Sequence, residues 1–209
     1  MLRVFSTFSG VGGFEQGLEN AFGKENIQVV GYSEFDTHQD AIYKSNFPTH
    51  KAYGDITKID FKELPDFDLL VGGVPCQSWS IAGNREGFED ARGTMWYEYF
   101  RCLKDKQPKY FIAENVKGLI SHDGGKSVEW ICESMCELGY VIDLEILNSK
   151  YFGVPQNRER IFIVGTLAKK QFEFPKPIKM KNIRDFVDWD LTEKETTKVK
   201  INNKKSLSA

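Results

Sequence analysis

The sequence predicts an α/β fold with a mostly parallel sheet and helices on both faces. Two observations carry that prediction. Short apolar runs, Leu2–Phe8, Ile27–Tyr32, Leu69–Val71, Tyr110–Ala113 and Ile161–Val164, are largely unbroken rather than alternating, which is how strands covered on both faces read. Between them lie segments whose apolar residues recur at helical spacing, Phe14, Leu18, Ala21 and Phe22 being the clearest set.

Taken in order, the first strand ends in a glycine turn, Ser9-Gly10-Val11-Gly12-Gly13, and the first helix follows it. The second strand closes at Ser33-Glu34-Phe35-Asp36, and a helix through Ala41, Ile42 and Phe47 is stopped by Pro48. The Leu69–Val71 strand leads into Gly72-Gly73-Val74-Pro75-Cys76-Gln77-Ser78-Trp79-Ser80. Further helices are expected over Thr94–Lys106 and Lys126–Leu138. From Lys179 onward only Ile183–Val187 has a structured pattern. The 209 residues are therefore read as one catalytic domain, 1–168, followed by a basic, partly disordered extension, 169–209.

Composition narrows the classes. A hydrophobic content of 41% with 28% charged residues is that of a globular protein, and no apolar run approaches the roughly 20 residues that cross a bilayer. Met1–Phe5 enters a strand directly, without the charged, apolar and small-residue order of a signal peptide, so a cytoplasmic protein is expected. A net charge of −2 argues against a surface that coats nucleic acid throughout. The charge is uneven: residues 1–168 hold 17 Lys and Arg against 24 Asp and Glu, whereas 169–209 hold 11 against 6. That basic end suits either phosphates or plain solvation. Cys76, Cys102, Cys132 and Cys136 make no zinc-like pair of pairs, so no metal and no disulfide is expected. Cys132 and Cys136, one helical turn apart, read as helix-core residues.

In such a sheet, function belongs at the carboxyl ends of the strands. The glycine turn, Glu34, Cys76 and Glu114 all follow predicted strands and so share one rim. Cys76 sits on a stiff turn and is either a nucleophile, if local dipoles and cations favour its thiolate, or a small core residue. The glycine turn lets backbone approach a ligand, and Glu34 lies about 20 residues on, the distance at which a nucleotide-fold carboxylate reaches ribose. Glu114 is either a general acid at a partly dry sheet end or a structural carboxylate. In Gln156-Asn157-Arg158-Glu159-Arg160, alternation along an extended strand would put Gln156, Arg158 and Arg160 on one face, suited to an anion or a polar base edge, with a ladder bridged by Glu159 as the alternative.

These residues, in this order, resemble the cytosine-5 DNA methyltransferase family. The likeness runs from Val4 to about Phe186, through Phe8-Ser9-Gly10-Val11-Gly12-Gly13-Phe14, Glu34-Phe35-Asp36, Gly54-Asp55-Ile56, the Cys76 segment, Gly87–Thr94, Glu114-Asn115-Val116 and Gln156–Arg160. The resemblance implies a Rossmann-like S-adenosylmethionine-dependent fold. It implies S-adenosyl-L-methionine as cofactor, with Phe8, Gly10, Val11, Gly12, Gly13, Glu34, Phe35, Asp55, Ile56 and Pro75 around it. It implies double-stranded DNA as substrate, with a flipped cytosine attacked by Cys76, held and protonated by Glu114 and steadied by Arg158 and Arg160. Gln77, Ser78, Asn115 and Gln156 would face that substrate.

The family's target-recognition domain and its final cofactor-pocket block have no counterpart in these 209 residues. A catalytic half that works with a second subunit is therefore expected. The alternatives are an inactive truncated remnant that only binds cofactor or a partner, a transfer-RNA cytosine-5 methyltransferase relative, and, more distantly, a Rossmann dehydrogenase.

Overall fold

A strand that is apolar on both sides needs cover on both faces, and β1 (Leu2–Thr7) has it: Val4 and Phe5 point to opposite sides and neither is exposed. The computed structural model describes residues 1–75, 95–168, 170–178 and 183–186. Among these, β1 is followed by α1 (Gly13–Phe22), β2 (Ile27–Ser33), α2 (Thr37–Asn46), β3 (Leu69–Gly73), α3 (Met95–Lys106), β4 (Tyr110–Val116), α4 (Lys126–Glu137), β5 (Val141–Asn148) and β6 (Glu159–Thr166). Short 3-10 turns fill the connections.

The strands form one sheet in the order β2-β1-β3-β4-β6-β5. β2, β1, β3 and β4 run parallel, while β6 is antiparallel to both β4 and β5. From β1 the chain winds outward to β2 on one side and then crosses to β3 and β4 on the other. This is the doubly wound, Rossmann-like arrangement that opens a crevice where the winding reverses, at the carboxyl ends of β1 and β3.

Helices cover both faces. Phe14 and Leu18 of α1 pack on Val4, Leu69 and Val71. On the opposite face α3 buries Trp96, Tyr99, Phe100 and Leu103, a helical stripe, against Phe5, Leu70 and Phe111. α4 adds Trp130, Ile131 and Met135 to the same core. Rings meet edge to face there, Tyr99 on Phe111 with centroids 6.1 Å apart and Phe100 on Trp130 at 5.3 Å.

Capping residues set the boundaries. Asp36 accepts hydrogen bonds from the N–H groups of His38 and Gln39, both 2.9 Å, and starts α2. α2 ends at Asn46, and Phe47 leaves the helical region directly before Pro48. Every strand and helix expected from the sequence is present, several of them longer by a few residues. β5 is additional. Val141–Asn148 mixes carboxylates with apolar residues, and as the outermost strand it leaves Leu144 and Glu145 exposed, so its sequence lacks the unbroken apolar signature.

Two expectations change. The buried stripe of α4 runs through Ser127, Trp130, Ile131, Ser134 and Met135, which leaves Cys136 on the outside. Cys132 is half-buried, and that burial pushes its thiol up to about 11. The strand expected at Ile161 begins at Glu159, and the residues before it turn back on themselves: Gln156 N–H donates to the Val154 carbonyl (2.8 Å) and Arg158 N–H to the Gln156 carbonyl (3.1 Å). Gln156 and Arg158 therefore lie in a turn, and of the three residues expected to share a strand face only Arg160 is on the strand.

Asp68 ties the amino-terminal ends of three strands together. Its carboxylate accepts from Arg3 N–H (3.2 Å) and Arg3 Nε (3.1 Å), its own N–H donates to the Arg3 carbonyl (2.8 Å), and its carbonyl accepts from Tyr110 N–H (3.0 Å). The Arg3 guanidinium, with the Arg3 N–H, holds the Asp68 carboxyl down at about 2. A depressed folded-state value stabilises the fold above the ordinary carboxylate range and ceases to do so as pH falls through it. Asp68→Asn is expected to lower the thermal midpoint at pH 7, with the difference from wild type closing as pH approaches about 2, as read by a calorimetric pH series.

Candidate active site

The crevice between the β1 and β3 ends is a cleft of about 420 Å³. Its lining is contributed by consecutive strand ends. Phe8 follows β1, Ser33 ends β2 with Glu34, Phe35 and Asp36 after it, Gly73 and Pro75 close β3, and Asp55 caps the 3-10 turn Ile56–Lys58, which carries Ile56 and Thr57, opposite Met95, the first residue of α3. Phe8 is held in the left-handed region (φ 50°), an uncommon conformation for a bulky residue and one that clusters at binding sites. Phe35 is 78% exposed, a large aromatic face on the cleft wall.

Three carboxylates line this cleft, Glu34, Asp36 and Asp55, of which Asp36 is occupied in capping α2. Glu34 accepts from Gly10 N–H through one oxygen (2.7 Å) and from Asp36 N–H through the other (2.8 Å), so it latches the glycine turn to the end of β2. Asp55 accepts from Thr57 Oγ1 (2.8 Å) and Thr57 N–H (3.0 Å), which hold its carboxyl below the usual range and keep it ionised. The turn itself requires glycine. Gly12 has φ 94°, and a Cβ there would stand 2.2 Å from the Phe47 ring. α1 starts at Gly13 with no side-chain cap, leaving backbone N–H groups at its amino end for an anion.

Beyond Gly73 stands an ion pair. Arg160 Nε lies 2.8 Å from Glu114 Oε1, and both side chains are about one-fifth exposed. The antiparallel register brings them together, since Glu114 faces Phe162 and Val116 faces Arg160, a diagonal on one side of the sheet. Gly73 lies beside the pair, where a Cβ would meet Glu114 Oε2 in ordinary contact at 3.4 Å. Glu159 does not bridge the two arginines in this arrangement: its carboxylate meets Lys117 Nζ at 3.0 Å, and its carbonyl accepts from Arg160 at 2.8 Å.

The family model described as C-5 cytosine-specific DNA methylase matches residues 2–208. The chain belongs to that family.

Curated methylases similar to it include the orphan methyltransferase M.Rho11sI of Bacillus phage rho11s, 56% identical over 169 residues, covering 78% of this chain and 33% of that protein. The type II methyltransferase M.HaeII of Haemophilus aegyptius is 45% identical over 176 residues, covering 84% and 54%. The chain spans between a third and a little over half the length of the curated methylases it matches. Among solved structures, a putative DNA modification methyltransferase from an E. coli prophage superposes with a TM-score of 0.71 at 25% identity, covering 88% of this chain and 54% of that one. Dnmt2 of S. pombe, at 24% identity and a TM-score of 0.72 over 92% of this chain and 62% of its own, shares the fold.

Of the ten residues that the methylase resemblance assigns to the cofactor, Phe8, Glu34, Phe35, Asp55, Ile56 and Pro75 line the cleft together. Gly10, Val11, Gly12 and Gly13 sit outside that lining, in the β1–α1 turn joined to it through Glu34. Glu114 and Arg160 are brought together, and Arg158 is exposed in the turn before β6. Gln156 is exposed in the same turn, its carbonyl accepting from Ser149 Oγ (2.6 Å). Asn115 is buried. Its Nδ2 donates to the Val74 carbonyl (2.9 Å) and its Oδ1 accepts from Val116 N–H (2.7 Å), so its amide braces the end of β3 against β4, two residues before Cys76. Cys76, Gln77 and Ser78 lie outside the described residues. Among the described residues no group of three or more His, Cys, Asp or Glu is arranged to hold a metal. Asp36 and Gly73, both within the resembling motifs, complete the wall with Ser33, Gln39, Thr57 and Met95, and only adjacency to motif residues points to these last four in the sequence.

Under the glycine turn lies a buried carboxyl that no motif flagged. Glu15, in the first turn of α1, is 1% exposed, accepts from Tyr43 Oη at 3.0 Å and leaves its second oxygen without a partner. Desolvation by burial raises its pKa. A raised carboxyl opposes folding as pH rises from the ordinary carboxylate value through the folded one. Glu15→Gln is expected to raise the thermal midpoint at pH 7–8 by roughly 2–4 °C, about 1 kcal/mol in a domain of this size, with the gain gone near pH 4.

Proposed function

We propose that this chain is the catalytic half of a DNA (cytosine-5-)-methyltransferase, using S-adenosyl-L-methionine and working with a second polypeptide that carries the target-recognition region. The observation that carries the reading is the placement of the Glu114–Arg160 pair beside a cleft of about 420 Å³ on one rim of a methylase-family fold.

The cofactor fits the cleft on three counts. Its volume lies within the roughly 300–1,000 Å³ of small-molecule sites. The uncapped start of α1 suits a carboxylate, and the Phe8 and Phe35 rings beside Glu34 and Asp55 suit an adenine with a hydroxylated sugar. When bound, S-adenosylmethionine supplies an electrophilic methyl group on sulfonium. The chain's own residues prepare the cytosine to receive it. A base inside a duplex is out of reach, so the target is flipped into the site. The Cys76 thiolate adds to ring carbon 6, and the electron pair displaced from the ring double bond leaves carbon 5 nucleophilic. Glu114 holds and protonates ring nitrogen 3 as this happens. Arg160, held by its ion pair with Glu114, would contact the base carbonyl, and Arg158 in the adjoining turn would support that side. Removal of the carbon-5 proton by a general base re-forms the ring double bond and expels Cys76 as thiolate, and ring nitrogen 3 returns its proton to Glu114.

The chain spans a third to a little over half the length of its methylase relatives, and in this reading the partner supplies the groove-reading surface that recognition of base edges needs. Two outcomes are expected. Cys76→Ala should abolish covalent trapping of a duplex containing 5-fluorocytosine and lower methyl transfer by roughly 10³-fold or more, with S-adenosylmethionine affinity nearly unchanged; an adduct surviving on denaturing gels overturns the nucleophile assignment. The lone chain should bind S-adenosylmethionine weakly and DNA with little sequence preference; tight calorimetric binding together with one defined methylated site contradicts the need for a partner.

A further inference from the structure

Arg101, on the second turn of α3, belongs to none of the motif blocks, yet it reaches the back of the cofactor wall. Its guanidinium donates to the Ile59 carbonyl at 2.7 Å and to the Ile56 carbonyl at 2.9 Å. Nε donates to Glu98 Oε2 at 2.9 Å, one turn earlier on the same helix. The guanidinium also lies over the Phe61 ring, 4.3 Å from its centroid.

Those two carbonyls belong to the turn that follows Asp55. Ile56 and Ile59 are 4% and 7% exposed; the Ile56 carbonyl also accepts from Ile59 N–H (3.3 Å), so Arg101 adds a second donor there and supplies one to the Ile59 carbonyl. On the cleft side the turn is braced by Thr57 on Asp55; from behind it is braced by Arg101. Met95, six residues before Arg101 and about 9 Å up the helix, lines the same cleft as Asp55, Ile56 and Thr57. One side chain thus ties two walls of the cleft. A planar fork with fixed donor directions reaches both carbonyls and the carboxylate at once.

We propose that Arg101 is a positioning residue for the cofactor site: it holds the Asp55–Thr57 turn in register with α3 and so sets the width of the cleft. The proposal rests on the reading of the cleft as the S-adenosylmethionine site. α3 supplies its own control. Lys106 also bonds a buried turn, through Nζ to the Leu64 carbonyl (2.8 Å) and to Asp66 (2.7 Å), but that turn contributes nothing to the cleft lining.

The test compares Arg101→Met, Arg101→Lys and Lys106→Met in the full 209-residue chain, with S-adenosylmethionine affinity by calorimetry and amide exchange measured on the same samples at a temperature where near-ultraviolet dichroism shows each variant folded. Arg101→Met is expected to weaken binding by about ten-fold and Arg101→Lys by less, the scale of losing charge-assisted hydrogen bonds. Exchange at the Lys58 and Ile59 amides, which close the turn, is expected to accelerate in both. Lys106→Met is expected to lose thermal stability and keep its affinity. Binding by Arg101→Met within about two-fold of wild type, or an equal loss in Lys106→Met, overturns the positioning role. A wild-type chain that binds no S-adenosylmethionine contradicts the cofactor reading instead, and exchange then decides: unchanged protection of Lys58 and Ile59 in Arg101→Met removes the clamp.

Discussion

The antiparallel seating of β6 against β4 is the constraint on which the candidate site depends. β6 has eight residues, a length of about 26 Å, so a parallel β6 would carry Arg160 to the far end of the sheet from the glycine turn and Glu34. Reversed, the strand starts where β1 to β4 finish, and Arg160 arrives beside Glu114. β5 makes the reversal affordable in hydrogen bonds: it pairs with the other edge of β6 over Val141–Asn148, so the inverted strand lies between two partners over Arg160–Thr166.

Around that pair, each wall is fixed by groups that are themselves satisfied. Asn115 stitches β3 to β4, Glu34 stitches the glycine turn to β2, and Thr57 and Arg101 hold the Asp55 turn from its two sides. Each uses backbone N–H or carbonyl groups at strand or turn ends, which burial would otherwise leave unpaired. Stabilising the fold and shaping the cleft are here the same set of hydrogen bonds. Glu15 is the exception, a carboxyl with one orphaned oxygen directly beneath the glycine turn, and burial there costs stability at neutral pH.

Most of the architecture was legible because centrally buried strands and amphipathic helices leave strong periodic traces. β1, β3 and β4 read as unbroken apolar runs, and Phe14 and Leu18 of α1 recur at helical spacing. β5 was not legible, since an edge strand with Asp143 and Glu145 carries neither an apolar run nor clean alternation. Strand direction is also silent in the sequence: Ile161–Val164 reads identically whichever way it runs, and only the register reveals the reversal. The turn at Gln156–Arg158 escaped because polar residues before a strand read equally well as its first residues. Motif resemblance found the strand-end residues of the cleft, Phe8, Glu34, Asp55 and Pro75, but could not find Arg101 or Glu15, whose importance comes from what lies behind the wall rather than on it.

The most direct measurement of the central claim is a double-mutant cycle on Glu114→Gln and Arg160→Met, read by urea unfolding of the full chain at neutral pH and low salt. If β6 is seated in the reversed register, the two side chains meet at 2.8 Å in a half-dry setting and the cycle should give a coupling of about 1 kcal/mol that shrinks at high salt. Effects that add to within about 0.3 kcal/mol would mean that the two groups do not touch, and the site as described would not exist.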